Sequence, residues 1–368
     1  MRADPKTLRA PLLRWYRKHK RDLPWRRTTD PYAIWVSEAM LQQTTVAAVI
    51  PYWNRFLARF PNVAALARAN EEDVLASWTG LGYYRRAKAL REGAIAVLER
   101  HRGMVPGDRE SLLALPGIGP YTAGAIASVA FGHPEPVVDG NVKRVFSRLF
   151  AIRKNGATVE KKFWRIARAL VVGPHPGDLN QAVMELGATV CTPRSPECSR
   201  CPVAKSCRAR SLGRQESFPA PPARKPAQHV GIEVAWIERG GRILLERRHP
   251  GSPLRGTWDL PVLRGLPSRI GLEVVPGNAI ATVRHSILTK RLTIQVSRVR
   301  LKGITPRTAS LTWIKPAEIG TIATSAATTK AVQAASSTSS SGSSGRVKRY
   351  DFPSIKGTAP KAQSSPAQ

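Results

Sequence analysis

Acidic residues are scarce in this chain: 25 Asp and Glu stand against 58 Lys and Arg in 368 residues, leaving a formal charge of +33. The excess runs along the chain instead of gathering in one tail, and such a field attracts polyanions, nucleic acid above all. Long apolar runs are also missing. None approaches the ~20 residues of a membrane span. The N-terminus MRADPKTLRAPLLRWYRKHKRD lacks the apolar core and cleavage site of a signal peptide. The sequence therefore reads as a soluble, cytoplasmic protein with no membrane partner, held at the nucleoid by DNA. Cysteine is confined to four positions within 191–207, and structural disulfides are not expected in that compartment. A hydrophobic fraction of 42% still supports real cores, and the length admits two domains and a tail.

Residues 1–215 read as almost wholly helical. Apolar residues recur at helical spacing over 32–43, 46–60, 71–78, 87–98 and 163–172, separated by the breakers GLGYY, GMVPGD and LPGIGP. A linker is expected over 216–228, where FPAPPARKPAQ is Pro-rich. The pattern then changes to period two over 229–321. VGIEVAWIERGGRILLERR reads as two strands joined at Arg-Gly-Gly-Arg, TIQVSRVRL as another, and TWIKPAEI as a last strand entering a short helix. From 322 to 368 the Ser/Ala/Thr-rich, basic sequence holds too few large apolar residues to fold alone and is expected to be disordered. The fold class is thus an all-α domain followed by an α+β domain and a tail.

The cysteines Cys191, Cys198, Cys201 and Cys207 follow C-x6-C-x2-C-x5-C. Four thiolates so close need positive charge to offset their repulsion. Zinc is one candidate. The spacing is not that of a two-knuckle zinc site, however, and better suits one compact loop around a cubane cluster. Upstream, LPGIGPYTAGAI ends one helix and opens the next at Pro120. Gly117 and Gly119 there let backbone N–H groups approach a phosphate. Asp139, in VVDGNVKRV, reads in isolation as a helix N-cap. Glu38 stands among Ile34, Trp35, Val36, Ala39, Met40 and Leu41, where a buried, unpaired carboxyl is costly and its pKa should rise. An acid kept protonated near neutrality can donate to a purine leaving group.

The cysteine spacing resembles the four-iron four-sulfur loop of the endonuclease III superfamily of DNA glycosylases, and LPGIGP with Asp139 resembles their helix-hairpin-helix. WVSEAMLQQT, GLGYYRRA and DGNVKRV closely resemble the MutY adenine DNA glycosylases, and ILLERR and GTWDLP resemble the Nudix-like domain of that branch. The likeness covers residues 8 to 320. It implies that Asp139 is the catalytic carboxylate, stabilising an oxocarbenium-like sugar, and that Glu38 protonates adenine. It also implies a cluster on the four cysteines, and duplex DNA carrying adenine opposite 8-oxoguanine or guanine as the partner of a monomeric enzyme.

Three departures and several contacts complete the reading. Tyr121 stands where the endonuclease III branch carries a Schiff-base lysine, so a monofunctional enzyme without an efficient lyase step is expected. PVLRGLPSRIGLEVV lacks a Glu-rich metal box, so nucleotide hydrolysis is not expected. The family's Phe-Ser-His turn is absent. In its place stands either Leu288, Thr289 and Lys290, the favoured alignment, or His285 and Ser286. Because the target base must leave the stack, Gln42, Gln43 and Thr44 are candidate mispair contacts, with Leu81 and Tyr83 as wedges. GLGYY also reads as an ordinary helix-linking turn with core aromatics. Asn141 is a candidate to orient Asp139 or the sugar, and equally an ordinary helix-start Asn. The rival readings are a pyrimidine glycosylase with lyase activity, a cluster-bearing DNA-binding protein and a hydrolase of oxidised nucleotides. Tyr121, the pair Glu38 and Asp139, and the missing metal box argue against them in turn.

Overall fold

The structure is a computed structural model describing residues 4–154, 156–221, 226–249, 252, 255–287, 289–303, 305 and 308–340. The chain divides into two compact units. One runs to Arg224 and includes the short segments His249–Thr257 and Gly320–Ala323; the other comprises Lys225–Arg248, Trp258–Ile319 and the chain from Thr324. Among the described residues no helix is long and apolar enough to cross a membrane.

The first unit is helical, as the apolar periodicity requires, and holds two cores. The first core gathers helices Pro31–Leu41, Val46–Arg59, Val63–Arg68, Glu71–Ser77, Arg85–Arg100 and Pro120–Ala130 around Trp35, Phe56 and Trp78. The second gathers Arg9–His19, Gly140–Leu149, Ala157–Val171 and Pro176–Thr189 around Tyr16 and Phe146. Two helices are apolar on nearly every side, the mark of central helices. In Pro31–Leu41, residues 32–40 are all buried, and in Pro120–Ala130 so are 122–128. Asp30 starts the former, its carboxylate accepting from the Tyr32 and Ala33 amides with Pro31 in the first turn. Helix Pro176–Thr189 packs against helices of both cores, Pro120–Ala130 among them. Asn180 donates from Nδ2 to Ser128 Oγ (2.9 Å) and Glu135 O (2.8 Å) across that seam.

Among the described residues the second unit holds two sheets. In one, β1 (Gln228–Trp236) runs parallel to β6 (Lys290–Lys302), and β6 pairs antiparallel with β5 (Glu273–Ile287). In the other, β3 (Arg242–Arg247) lies between β2 (Glu238–Arg239) and β7 (Leu311–Ile314) and also pairs with β4 (Trp258–Asp259). Leu244, Leu266 and Ala235 sit at the centre of its core. The Arg-Gly-Gly-Arg turn exists, through Gly240 and Gly241, but it joins β2 to β3. The first expected strand ends before it and belongs to the other sheet, a change of partner that alternation along one strand cannot reveal.

Two expected boundaries are corrected. The linker over 216–228 begins too early: Phe218 is buried, Gln215 O and Phe218 O accept from Arg148 Nε, and the Ala220 amide donates to Arg153 O (2.9 Å). The disordered tail from 322 also begins too early, because Ala326–Ser340 is a helix packed on β5 and β6. Ala331, Val332 and Ala335 form its buried face. Ser325 Oγ accepts from the Thr328 amide (3.1 Å), and the Ser325 and Thr328 hydroxyls donate to the buried Asp259 carboxylate. Small side chains permit close approach, so this helix docks with little apolar mass. Residues 341–368 lie outside the described residues.

Candidate active site

A cavity of about 510 Å³ opens in the first unit and brings Glu38, Tyr121, Asp139 and Asn141 together, with Gln42, Gln43 and Thr44 on its wall. Each acid reaches it by a distinct local device. Glu38 is carried in by the central helix Pro31–Leu41 and is only 9% exposed. Its Oε2 is buried with no hydrogen-bond partner among the described residues. Burial pushes the Glu38 carboxyl up to about 7; a hydrogen bond from Tyr121 and the charge of Arg26 oppose the rise, and Asp139 adds to it.

Asp139 ends the extended run after Pro136 and caps helix Gly140–Leu149, its Oδ1 accepting from the Val142 amide at 2.7 Å. Oδ2 accepts from Asn141 Nδ2 at 2.9 Å. Capping and site placement are therefore the same geometry, since the cap fixes the carboxylate at a helix N-terminus facing the cavity. Asn141 Oδ1 accepts from Arg144 Nη2 (2.8 Å), which also donates to Gly187 O (2.7 Å), while Arg144 Nε donates to Cys191 O (2.8 Å). Asp139 is thus joined through Asn141 and Arg144 to the first cysteine. Gly187 makes this possible, because a Cβ there would lie 2.6 Å from Asn141 Cβ.

Tyr121, near the start of helix Pro120–Ala130, donates from its hydroxyl to Met184 Sδ (3.3 Å) and lies close enough to Glu38 to lower its pKa. Before it, the hairpin turns at Gly117 in the left-handed region (φ 76°), where a Cβ would also press on Ala89 Cβ at 2.6 Å. Nothing lies within 4 Å of a Cβ built on Gly119, which leaves the approach to its backbone open.

One cavity residue, Glu185, escaped sequence reasoning. Glu185 is 1% exposed and accepts from Arg21 N (3.0 Å), Nε and Nη2 (both 2.8 Å) and from Arg26 Nη2 (2.8 Å). Burial alone would raise it, but the bonds from Arg21 and Arg26 outweigh burial and hold its carboxyl down at about 2. Its signal was present: AVMELGA is a lone acid in an apolar helix, the same pattern that exposed Glu38.

The remaining candidates separate. Gln42 and Gln43 are exposed, and Gln43 is left-handed (φ 58°). Tyr83, also left-handed (φ 51°), is 40% exposed, whereas Leu81 is buried in the first core. Leu81 therefore does not project as the expected wedge, because its side chain fills the space beneath the turn. In the second unit Ile287 pairs with Lys290, so Thr289 stands at the tip of the β5–β6 hairpin. Thr289 and Lys290 are exposed; Leu288 lies outside the described residues. His285 is half-buried, its pKa lowered by burial and then by Lys330.

The four cysteines have the chemistry of a donor set for a metal group. They carry no disulfide. All four interact electrostatically, and burial pushes Cys201 up to about 12, so holding it as a thiolate needs the positive charge of a metal group. Arg148 anchors the loop, donating from Nη1 to Cys191 Sγ (3.3 Å) and Thr192 O (2.6 Å) and from Nη2 to Pro193 O (2.9 Å).

Residues 36–169 match the HhH-GPD superfamily of base excision DNA repair proteins, 191–207 the iron–sulfur binding domain of endonuclease III, and 233–334 the NUDIX domain. The chain is 38% identical to the adenine DNA glycosylase of Homo sapiens, covering 88% of this chain and 73% of that one. It is 43% identical to the adenine DNA glycosylase of Mycolicibacterium smegmatis, over 60% of this chain and 75% of the relative. A thermostable thymine-DNA glycosylase of known structure superposes with a TM-score of 0.53 at 30% identity, over 57% of this chain and 97% of that one. With the cavity's two carboxyls and the cluster loop in place, these likenesses establish the chain as a member of the adenine DNA glycosylase family, an iron–sulfur enzyme of base excision repair.

Proposed function

We propose that the enzyme excises adenine paired with 8-oxoguanine or guanine, as a monomer, and leaves the abasic strand uncut. The observation that carries this reading is the pairing of Glu38, burial-raised to about 7, with the helix-capping Asp139 in one cavity. Protonated Glu38 gives its proton to a ring nitrogen of the extruded adenine. The C1′–N9 bond then breaks with its electron pair leaving on the base. Positive charge develops on the sugar, and the Asp139 carboxylate, fixed by Val142 N and Asn141 Nδ2, stabilises it until water adds at C1′ and gives its proton to the Glu38 carboxylate. Tyr121 offers a phenol where a Schiff-base enzyme needs an amine, which supports hydrolysis without lyase chemistry.

The cluster, when bound to Cys191, Cys198, Cys201 and Cys207, supplies a rigid, charged scaffold for a loop rich in Arg and Lys that faces phosphate. Gly117 and Gly119 offer backbone N–H groups to the DNA backbone. Gln42, Gln43 and Thr44 contact the mispair edge, and Tyr83 fills the gap left by the extruded base. In the second unit, the exposed Thr289 hydroxyl accepts from the N7–H that distinguishes 8-oxoguanine from guanine, and Lys290 holds phosphate.

The test is a set of duplexes carrying adenine opposite 8-oxoguanine, guanine or thymine, and an oxidised pyrimidine opposite purine. Single-turnover excision should be fastest opposite 8-oxoguanine, present opposite guanine and lacking from the other two. Equal rates opposite 8-oxoguanine and thymine would overturn the proposed specificity.

A further inference from the structure

The end of the helix carrying Glu38 and the turn carrying Tyr83 meet on one guanidinium. Arg86 lies in the first turn of helix Arg85–Arg100. Its Nη1 donates to Ala39 O (2.9 Å), Met40 O (2.7 Å) and Gln42 O (2.6 Å). Its Nη2 donates to Thr44 Oγ1 (3.3 Å), Leu81 O (3.4 Å) and Gly82 O (3.1 Å). The guanidinium also lies over the rings of Trp78 and Tyr83, 5.5 and 5.4 Å from their centroids. Burial lowers its pKa to about 10, Tyr83 opposing, so it stays charged at neutral pH.

Helix C-termini leave carbonyls that need donors, and a cation there is favoured by the dipole. After Leu41 the chain does not provide a glycine cap, and Arg86 fills that role from another helix. Each segment it holds contains a left-handed non-glycine residue, Gln43 (φ 58°) and Tyr83 (φ 51°). Such backbone persists only where surrounding contacts over-determine it. Arg86 Nε is buried with no partner among the described residues, a cost retained for the span the fork provides. A lysine, a compact charge on a flexible stem, cannot reach both segments at once.

We propose that Arg86 is a positioning residue for base extrusion: it locks Gln42–Thr44 to the Leu81–Tyr83 turn so that both enter the duplex as one wedge, and it takes no part in bond cleavage. The inference rests on reading those two segments as gap-filling and mispair-contacting elements. A residue that merely supported the fold would lower excision on every substrate in the same proportion. A clamp for the wedge matters only while the target adenine still has to be unstacked.

The experiment compares single-turnover excision by the full-length holoenzyme on two substrates. One is a fully paired duplex with adenine opposite 8-oxoguanine; the other has the same pair flanked on both sides by mismatches, so that the adenine is already unstacked. Arg86→Gln should lose about tenfold or more on the paired duplex, equivalent to ~1.4 kcal/mol in the barrier, and at most about a third of that factor on the unstacked one. Arg86→Lys should fall between it and the wild type, with iron content and helical circular dichroism unchanged. If Arg86→Gln does not accumulate folded, the same ratio is read from Arg86→Lys. Equal losses on both substrates, or no loss on the duplex, overturn the inference. Tyr83→Ala separates the two readings. If it is defective on the duplex while Arg86→Gln is not, the clamp alone is wrong; if it is fully active there, the gap-filling reading falls and takes the clamp with it.

Discussion

Replacing Glu38 with Gln should abolish adenine release and stabilise the helical unit. Burial raises the carboxyl from 4.5 to about 7, a differential worth ~3 kcal/mol. The sign follows from where the proton sits. The folded pKa lies above the unfolded one, so the native state binds the extra proton. The stability this confers is whole below pH 4.5, drains away as pH climbs from there, and is gone once pH has passed about 7. An amide does not ionise. Relative to wild type, Glu38→Gln should gain little at pH 4 and up to ~3 kcal/mol at pH 8, less the cost of burying the amide. For a domain of this size, ~1 kcal/mol moves Tm by about 2–4 °C, so thermal unfolding followed by circular dichroism from pH 4 to 8 resolves it. Wild-type single-turnover excision should decline above pH 7 as the same proton is lost. A variant with ordinary activity, or with a stability gain independent of pH, would refute both the buried-acid argument and the role.

Asp139→Asn should keep the cap through Val142 N and retain DNA affinity, yet lose excision by about 10²–10³-fold, the scale for one preorganised electrostatic group; a binding assay beside single-turnover kinetics separates the two. Elemental analysis should find iron and acid-labile sulfide in the purified protein, and stoichiometric zinc without iron would contradict the cluster. Thr289→Ala should narrow the preference for 8-oxoguanine over guanine opposite adenine, whereas Lys290→Ala should weaken binding to both alike. If His285→Ala erodes the preference and Thr289→Ala does not, the alternative alignment of the hairpin is correct.

The site was legible where the residue type clashes with its surroundings. Glu38 is an acid in an apolar helix, so local sequence alone exposed it, whereas Asp139 read locally as a helix cap and drew its catalytic expectation from the likeness of LPGIGP and DGNVKRV. Glu185 carried the same signal, but its ion pairs with Arg21 and Arg26 join residues more than 150 positions apart, a distance no local pattern spans. Arg86 was hidden for a similar reason: it looks like one more cation in a chain of +33, and only its six acceptors distinguish it. The helices were readable because their periodicity is local. The partner change between β1 and β3 was not, since a strand's alternation records its faces and not its neighbours. The helix Ala326–Ser340 escaped because Ala, Ser and Thr resemble low complexity until a sheet is there to receive a small-residue face.

Acid-assisted hydrolysis without a Schiff base is decided by one assay on one substrate. The holoenzyme is incubated with a duplex carrying adenine opposite 8-oxoguanine, and the products are divided into untreated, alkali-treated and borohydride-treated portions. Release of adenine with an intact strand until alkali is added, and no covalent protein–DNA adduct after borohydride, is the predicted result. Strand cleavage without alkali together with a borohydride-trapped adduct would contradict it, because an amine would then be attacking the sugar in place of water beside Tyr121, Glu38 and Asp139.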